Sequence, residues 1–226
     1  KADAVNKTMS ITEQIKNAGV VGAGGAGFPS HVKANSRVEY VIANGAECEP
    51  LIHKDFELMV NFPEKIVSGV TIMLEETGAQ KGIIGIKAKN KIAIEAIKSA
   101  INDKRITIHE LGDFYPSGDE YILVYEATKR LIPPKGIPLD VGIVVNNVET
   151  LYNAAASGPV TEKYITVAGA VKRPCTIKVP VGITYAEAVE IAGGPTVRNA
   201  AGIDGGLMMG KVITDFGVLV NKCSGG

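Results

Sequence analysis

Hydrophobic and polar positions change period several times along the chain, and each change predicts an element. Ser10-Ile11-Thr12-Glu13 has the form of a capping box, so a short helix is expected over 11–18, closed by Gly19. A glycine-rich loop over 22–27 then leads through Phe28-Pro29 to a second helix start after Ser30. Residues 38–42 read as a strand ended by Asn44-Gly45. A helical pattern over 56–77 breaks at Pro63, because proline cannot donate within a helix. Residues 82–86 form an apolar strand, and 91–101 a helix with Ile94, Ile97 and Ile101 on one face. A third strand over 105–110 is followed by the loop Tyr115-Pro116-Ser117-Gly118-Asp119-Glu120 and a helix ending near Arg130. Pro133-Pro134 makes a stiff connector to an apolar strand at 141–145, and Asn146-Asn147 opens a helix over 149–156.

Strands alternating with helices imply a parallel sheet with helices on both faces. After Ser157-Gly158-Pro159 the character changes. Residues 164–168 and 175–179 alternate like two paired strands, and 184–192 form a short helix before Gly193-Gly194-Pro195. The expected fold class is therefore α/β: a Rossmann-like parallel-sheet domain over 1–158, then a small α+β domain of β-grasp type over 159–226. The boundary is expected near 157–161.

The chain has 226 residues and is 46% hydrophobic, enough for a substantial core. Its 24 basic residues match its 24 acidic ones, so it lacks the basic surface a nucleic-acid partner requires. No apolar run reaches the roughly 18 residues of a membrane helix, so direct membrane insertion is not expected. The first residue is Lys1 and no charged leader precedes an apolar stretch, which reads as an excised or processed fragment of a cytoplasmic protein. Cys48, Cys175 and Cys223 are widely spaced without a CxxC pair, neither a disulfide framework nor an iron–sulfur ligand set. His31, His53 and His109 are scattered, and no metal site is expected.

Four loops carry candidate chemistry. Gly22, Gly24, Gly25 and Gly27 let a backbone approach a flat ring or a phosphate, with Lys33 following to bring positive charge. The spacing contains GxGxxG, but a helix rather than a strand precedes it, so it is not an ordinary dinucleotide fingerprint. A tight helix–helix connection is the plainer alternative. Asn44-Gly45-Ala46-Glu47-Cys48-Glu49-Pro50 follows the first strand, where ligands of open α/β sheets bind. Its Glu47 and Glu49 suit ribose hydroxyls or an amide, or else are solvated acids in a turn. Gly118-Asp119-Glu120 opens a helix, where acids favour the dipole whatever the function. Asn146 and Asn147 both donate and accept, and Thr150 with helix-start amides suits a phosphate; capping by Asn147 is the simple alternative. Three of these loops follow strands whose parallel order would bring them to one edge.

In this order, the four loops resemble those of the NADH- and FMN-binding 51 kDa subunit of complex I, over 20–156. Residues 164–210 resemble the soluble-ligand-binding β-grasp domain that follows in that family. Asn44–Pro50, Tyr115–Glu120 and Gly205-Gly206-Leu207-Met208-Met209-Gly210 favour the group formed by the C subunit of the Rnf complex, whose relatives include the cobalamin reductase of propanediol utilisation and an electron-transfer protein associated with proline reductase. The resemblance implies FMN held by Gly22, Gly24, Gly25, Gly27, Lys33, Asn44, Asn146, Asn147 and Thr150. It puts Glu47, Glu49 and Glu120 on the NADH side, Gly118 in the binding loop and Phe28 near the ring. No side chain acts as acid or base, because the flavin carries the chemistry. Electrons would pass to an iron–sulfur domain or partner outside this chain, in a protein that is cytoplasmic, peripheral to a membrane complex or within a microcompartment. The direction of flow and the choice between NADH and NADPH stay open. A flavin-free ligand-binding or assembly module, working through the β-grasp domain, is the alternative from a different class.

Overall fold

The computed structural model describes residues 9–156 and 158–226; Ser157, at the expected boundary, and residues 1–8 of the first expected domain lie outside the described residues. Helix α1 (Ile11–Asn17) is opened by the expected capping box, in which Ser10 accepts from the Glu13 amide and Glu13 reaches back to the Ser10 amide. After the glycine loop comes α2 (Ser30–Ala34). The strands β1 (Tyr40–Gly45), β2 (Lys81–Lys87), β3 (Ile106–Leu111) and β4 (Ile143–Asn147) form one parallel sheet in the order β3-β2-β1-β4.

β1 and β4 both run later than their patterns predict. Asn44 and Gly45 do not end β1 but belong to it, and Asn147 pairs with Asn44 in the ladder. Neighbouring parallel strands supply amide partners on both sides, which overrides the weak strand propensity of Asn and Gly. At β4 the start is delayed by an unanticipated 3-10 turn, Pro138–Val141, which Pro138 opens and Gly142 closes.

The sheet is covered on both sides. One face packs Val41, Ala43, Ile84, Ile86 and Val144 against α3 (Lys54–Asn61), α4 (Pro63–Thr77), α5 (Lys91–Ala100) and α7 (Val148–Ala154), with Ile15 of α1 and Ala34 of α2 in the same core. The other packs Ile42, Ile83, Ile143 and Val145 against Leu123 and Val124 of α6 (Glu120–Thr128). Burial of each such aliphatic side chain contributes about 1.5–3 kcal/mol. The expected long helix is two, with Pro63 at the first position of α4, where a missing N–H costs nothing. Gly69 lets α4 lie directly on α7; a Cβ there would overlap the Leu151 backbone.

Beyond the sheet domain, β5 (Glu162–Val167) and β6 (Cys175–Pro180) pair antiparallel, α8 (Tyr185–Ile191) starts at a second capping box on Thr184, and β7 (Gly202–Asp204) pairs with β8 (Lys211–Ile213). These strands lie in two hairpins around a small core of Ile165, Val179, Tyr185, Ala188 and Val220. Phe62, Tyr152 and Tyr164 bring the two parts together, with ring centroids 5.4–6.1 Å apart. No helix among the described residues is long and apolar enough to cross a membrane.

Candidate functional site

All four loops meet at the carboxyl edge of the sheet. The glycine loop is closed at its base by Gly22 N–H donating to Phe28 O (2.9 Å) and Gly27 N–H donating to Gly22 O (3.2 Å). Thr150 Oγ1 accepts from the Ala23 amide (2.9 Å), and a Cβ on Gly24 would meet the Asn147 Cβ at 3.4 Å, so the start of α7 backs the loop. Asn44 Nδ2 donates to Gly118 O (2.8 Å), while its Oδ1 accepts from Ala46 N–H, tying the β1 loop to the loop before α6. A Cβ on Gly118 would touch Cys48 Sγ and Ala46 Cβ. Asp119 caps α6 through the Tyr121 and Ile122 amides, as its position predicted.

Lys33 reaches from α2 to the Val145 carbonyl oxygen, and its ammonium lies 5.5 Å from the centre of the Phe28 ring. Burial holds the Lys33 pKa below the usual lysine range, against the opposing pull of the Glu120 carboxylate. The glycine loop, α2 and α6 therefore share one electrostatic environment, although no strand precedes the glycines.

Three features of this edge call for a ligand. Asn146 Nδ2 is buried without a hydrogen-bond partner, and so is Ser117 Oγ beside Gly118. A buried donor left unpaired costs about 1–3 kcal/mol, so such groups need an explanation. Gly25, at φ 109°, has open space where a Cβ would stand. Open glycine backbone, unpaired amide and hydroxyl groups and a half-buried ammonium suit a planar heterocycle with hydrogen-bonding edges and an anionic tail.

Glu47 and Glu49 are held in different ways. Glu47 takes the Asp55 and Phe56 amides at the start of α3 (2.7 and 3.0 Å). Burial, and then the neighbouring Asp55, push its pKa up to about 7. Glu49 accepts from the amides of Met208 and Met209 (2.9 and 3.0 Å), in the turn between β7 and β8. Gly206, at φ 102°, faces Glu49 so closely that a Cβ would strike its carboxylate.

The charge patterns gave no warning of the buried network below this site. Lys54 bonds Asp55 Oδ1 (2.6 Å) and Glu149 Oε2 (3.0 Å), Lys163 of β5 bonds the same Glu149 oxygen, and Asn147 Nδ2 donates to Asp55 Oδ2 (2.7 Å). Lys222 and Cys223 also return to the glycine loop. Lys222 Nζ donates to Gly19 O (2.8 Å), and a Cβ on Gly27 would sit 2.8 Å from Cys223 Sγ. No group of three or more potential metal ligands occurs among the described residues.

Fold and site together define the class: a module of flavin-dependent electron-transfer proteins, with a parallel-sheet domain presenting glycine-loop and asparagine-loop edges. The chain belongs to the Nuo51 FMN-binding domain family, whose model matches residues 15–156, and an SLBB domain matches 164–212. It is 44% identical to the cobalamin reductase PduS of Citrobacter freundii, over 96% of this chain and 49% of that protein. It is 38% identical to the C subunit of the Na(+)-translocating ferredoxin:NAD(+) oxidoreductase complex of Acetobacterium woodii, over 93% of this chain and 50% of that one. Its fold matches a chain of the NAD+-reducing [NiFe]-hydrogenase in the H2-reduced state, with TM-score 0.70 and 26% identity over 88% of this chain and 41% of that chain. The chain thus spans about half the length of the curated relatives it matches.

Proposed function

We propose that this chain is an FMN-dependent module that takes hydride from NADH and passes electrons onward to an iron–sulfur domain or partner protein. The observation that carries the reading is the convergence of all four loops on one edge that holds an unpaired, buried Asn146 amide. Gly22, Gly24, Gly25 and Gly27 would lie against the cofactor, Asn44, Asn146, Asn147 and Thr150 would hold and orient it, and Lys33 would bring positive charge to it. Gly118 would let the loop before α6 close on the β1 loop beside it, Phe28 would lie near the ring, and Glu47, Glu49 and Glu120 would border the nicotinamide side. When bound, FMN supplies the conversion between two-electron and one-electron transfer.

The chain's own part is binding and electrostatics. Lys33 sits where burial weakens its hydration, so its charge acts strongly on a bound anion. We assign the flavin part to 1–158 and the small domain to 159–226. The names of the relatives, with their ferredoxin, NAD(+) and cobalamin chemistry, support an electron-transfer setting for the whole protein.

The test is an absorption titration of the purified chain with FMN and then, anaerobically, with NADH. A stoichiometric flavin spectrum that bleaches with NADH is expected. Lys33→Ala and Asn147→Ala should each raise the FMN dissociation constant about tenfold, a loss of about 1.4 kcal/mol. Unchanged flavin content in both would sink the assigned cradle. Failure of the folded wild-type chain to bind FMN would move the reading to a ligand-binding or assembly module acting through the small domain.

A further inference from the structure

We infer that Lys163, on the small domain, is a positioning residue for the flavin edge of the sheet domain, acting through the buried chain Lys163–Glu149–Lys54–Asp55 that ends on Asn147. The inference rests on the FMN reading above and adds to it a role for the second domain. Lys163 is fully buried and Glu149 is 1% exposed, so neither charge meets solvent. Glu149 accepts from Lys163, Lys54 and the Tyr164 amide, and Asp55 accepts from Lys54 and Asn147. Asn147 then has both ends of its amide engaged, Nδ2 on Asp55 and Oδ1 on the Glu149 N–H (2.9 Å), and its Cβ backs Gly24. The orientation of a residue assigned to the cofactor is therefore set by a lysine on another domain.

Stability alone does not account for such a chain. Well-packed apolar groups of the same volume would stabilise the fold as well or better, whereas loss of one partner strands a buried charge. Burial, and after it the Lys54 ammonium, bring the Lys163 pKa down to about 8. Burial opposes ionisation of Glu149, yet Lys54 and Lys163 together keep its pKa below the usual carboxylate range. With Glu47, the cluster counts three carboxylates against two ammonium groups, a formal charge of −1. Neutralising Lys163 makes it −2, and neutralising Glu149 makes it 0. Low-dielectric surroundings transmit such changes with little screening.

The experiment compares the wild-type chain with Lys163→Met, Glu149→Gln and the double variant, reading FMN affinity by fluorescence and flavin midpoint potential by dye equilibration. Circular dichroism checks folding. Lys163→Met should weaken FMN binding about tenfold, the scale of a lost supporting hydrogen bond at a bound group, and lower the midpoint potential. Glu149→Gln should raise the potential. The double variant, with the wild-type net charge and no stranded ion, should return both readings towards wild type, and it keeps the test alive if a single variant does not fold. Folded single variants whose potentials do not move in opposite directions would overturn the inference, as would a folded double variant with a displaced potential, while the FMN reading stands. A wild-type chain that binds no FMN would remove both.

Discussion

Glu47 is a carboxylate placed where its charge is costly. Its pKa near 7, against an ordinary value of 4.5, means that the folded chain takes up a proton that the unfolded chain gives away. Stability is therefore highest below about pH 4.5 for this group and is lost as pH rises through about 7, by on the order of 3 kcal/mol. Glu47→Gln keeps an oxygen for one of the α3 amides and removes the titration. Urea unfolding at about pH 5 and about pH 8 should show the wild type losing stability between the two and the variant losing much less. Equal losses in both proteins would assign the pH dependence elsewhere. The Lys54 pKa is raised too, but from a different cause: burial opposes its charge, yet Asp55, Glu149 and Glu47 together keep it protonated well above the ordinary lysine range.

At the scale of elements, α7 matters most, because its first residues and its N-cap bear Asn147 and Thr150. Its position depends on contact with α4 at Gly69, where the Leu151 carbonyl occupies the space of a side chain. Gly69→Ala should therefore push α7 outward, destabilise the fold by about 1–3 kcal/mol despite alanine's better helix propensity, and weaken FMN binding with it. A stabilised variant in chemical denaturation would mean that the two helices are free to separate. The elements themselves were legible where a local rule decides them: the Ser10 capping box, the break at Pro63 and the apolar strands appear as their patterns predict, whereas the second capping box on Thr184 was not read. The ends of β1 and β4 were not, because Asn-Gly reads as a turn unless neighbouring strands are known to pair with it. The four loops were legible as motifs, but the ion network beneath them was not. Lys54 and Asp55 look like ordinary helix-start charges. One signal was available: Lys163 shares the inward parity of Ile165 in β5, which points a lysine at the core.

Across the whole molecule, the contacts that join the two domains include the aromatic cluster, the ion network, and the Glu49 carboxylate held by the β7–β8 turn. The last of these is the most exposed to solvent, and it involves a loop assigned to the nicotinamide side. Glu49→Ala should impair reduction by NADH while FMN stays bound, and should also free the turn, seen as faster protease cleavage within 205–210. Loss of flavin from the folded variant would place Glu49 with the wrong ligand, and unchanged cleavage would show that the turn holds without it.

The contacts of Lys222 and Cys223 with Gly19 and Gly27 also set an order of events during synthesis. The glycine loop leaves the ribosome roughly 10–40 s before the segment that braces it, at ordinary elongation rates. A nascent chain therefore carries an unbraced glycine loop until residues 222 and 223 have emerged, and the proposed cofactor site would tighten only from that point.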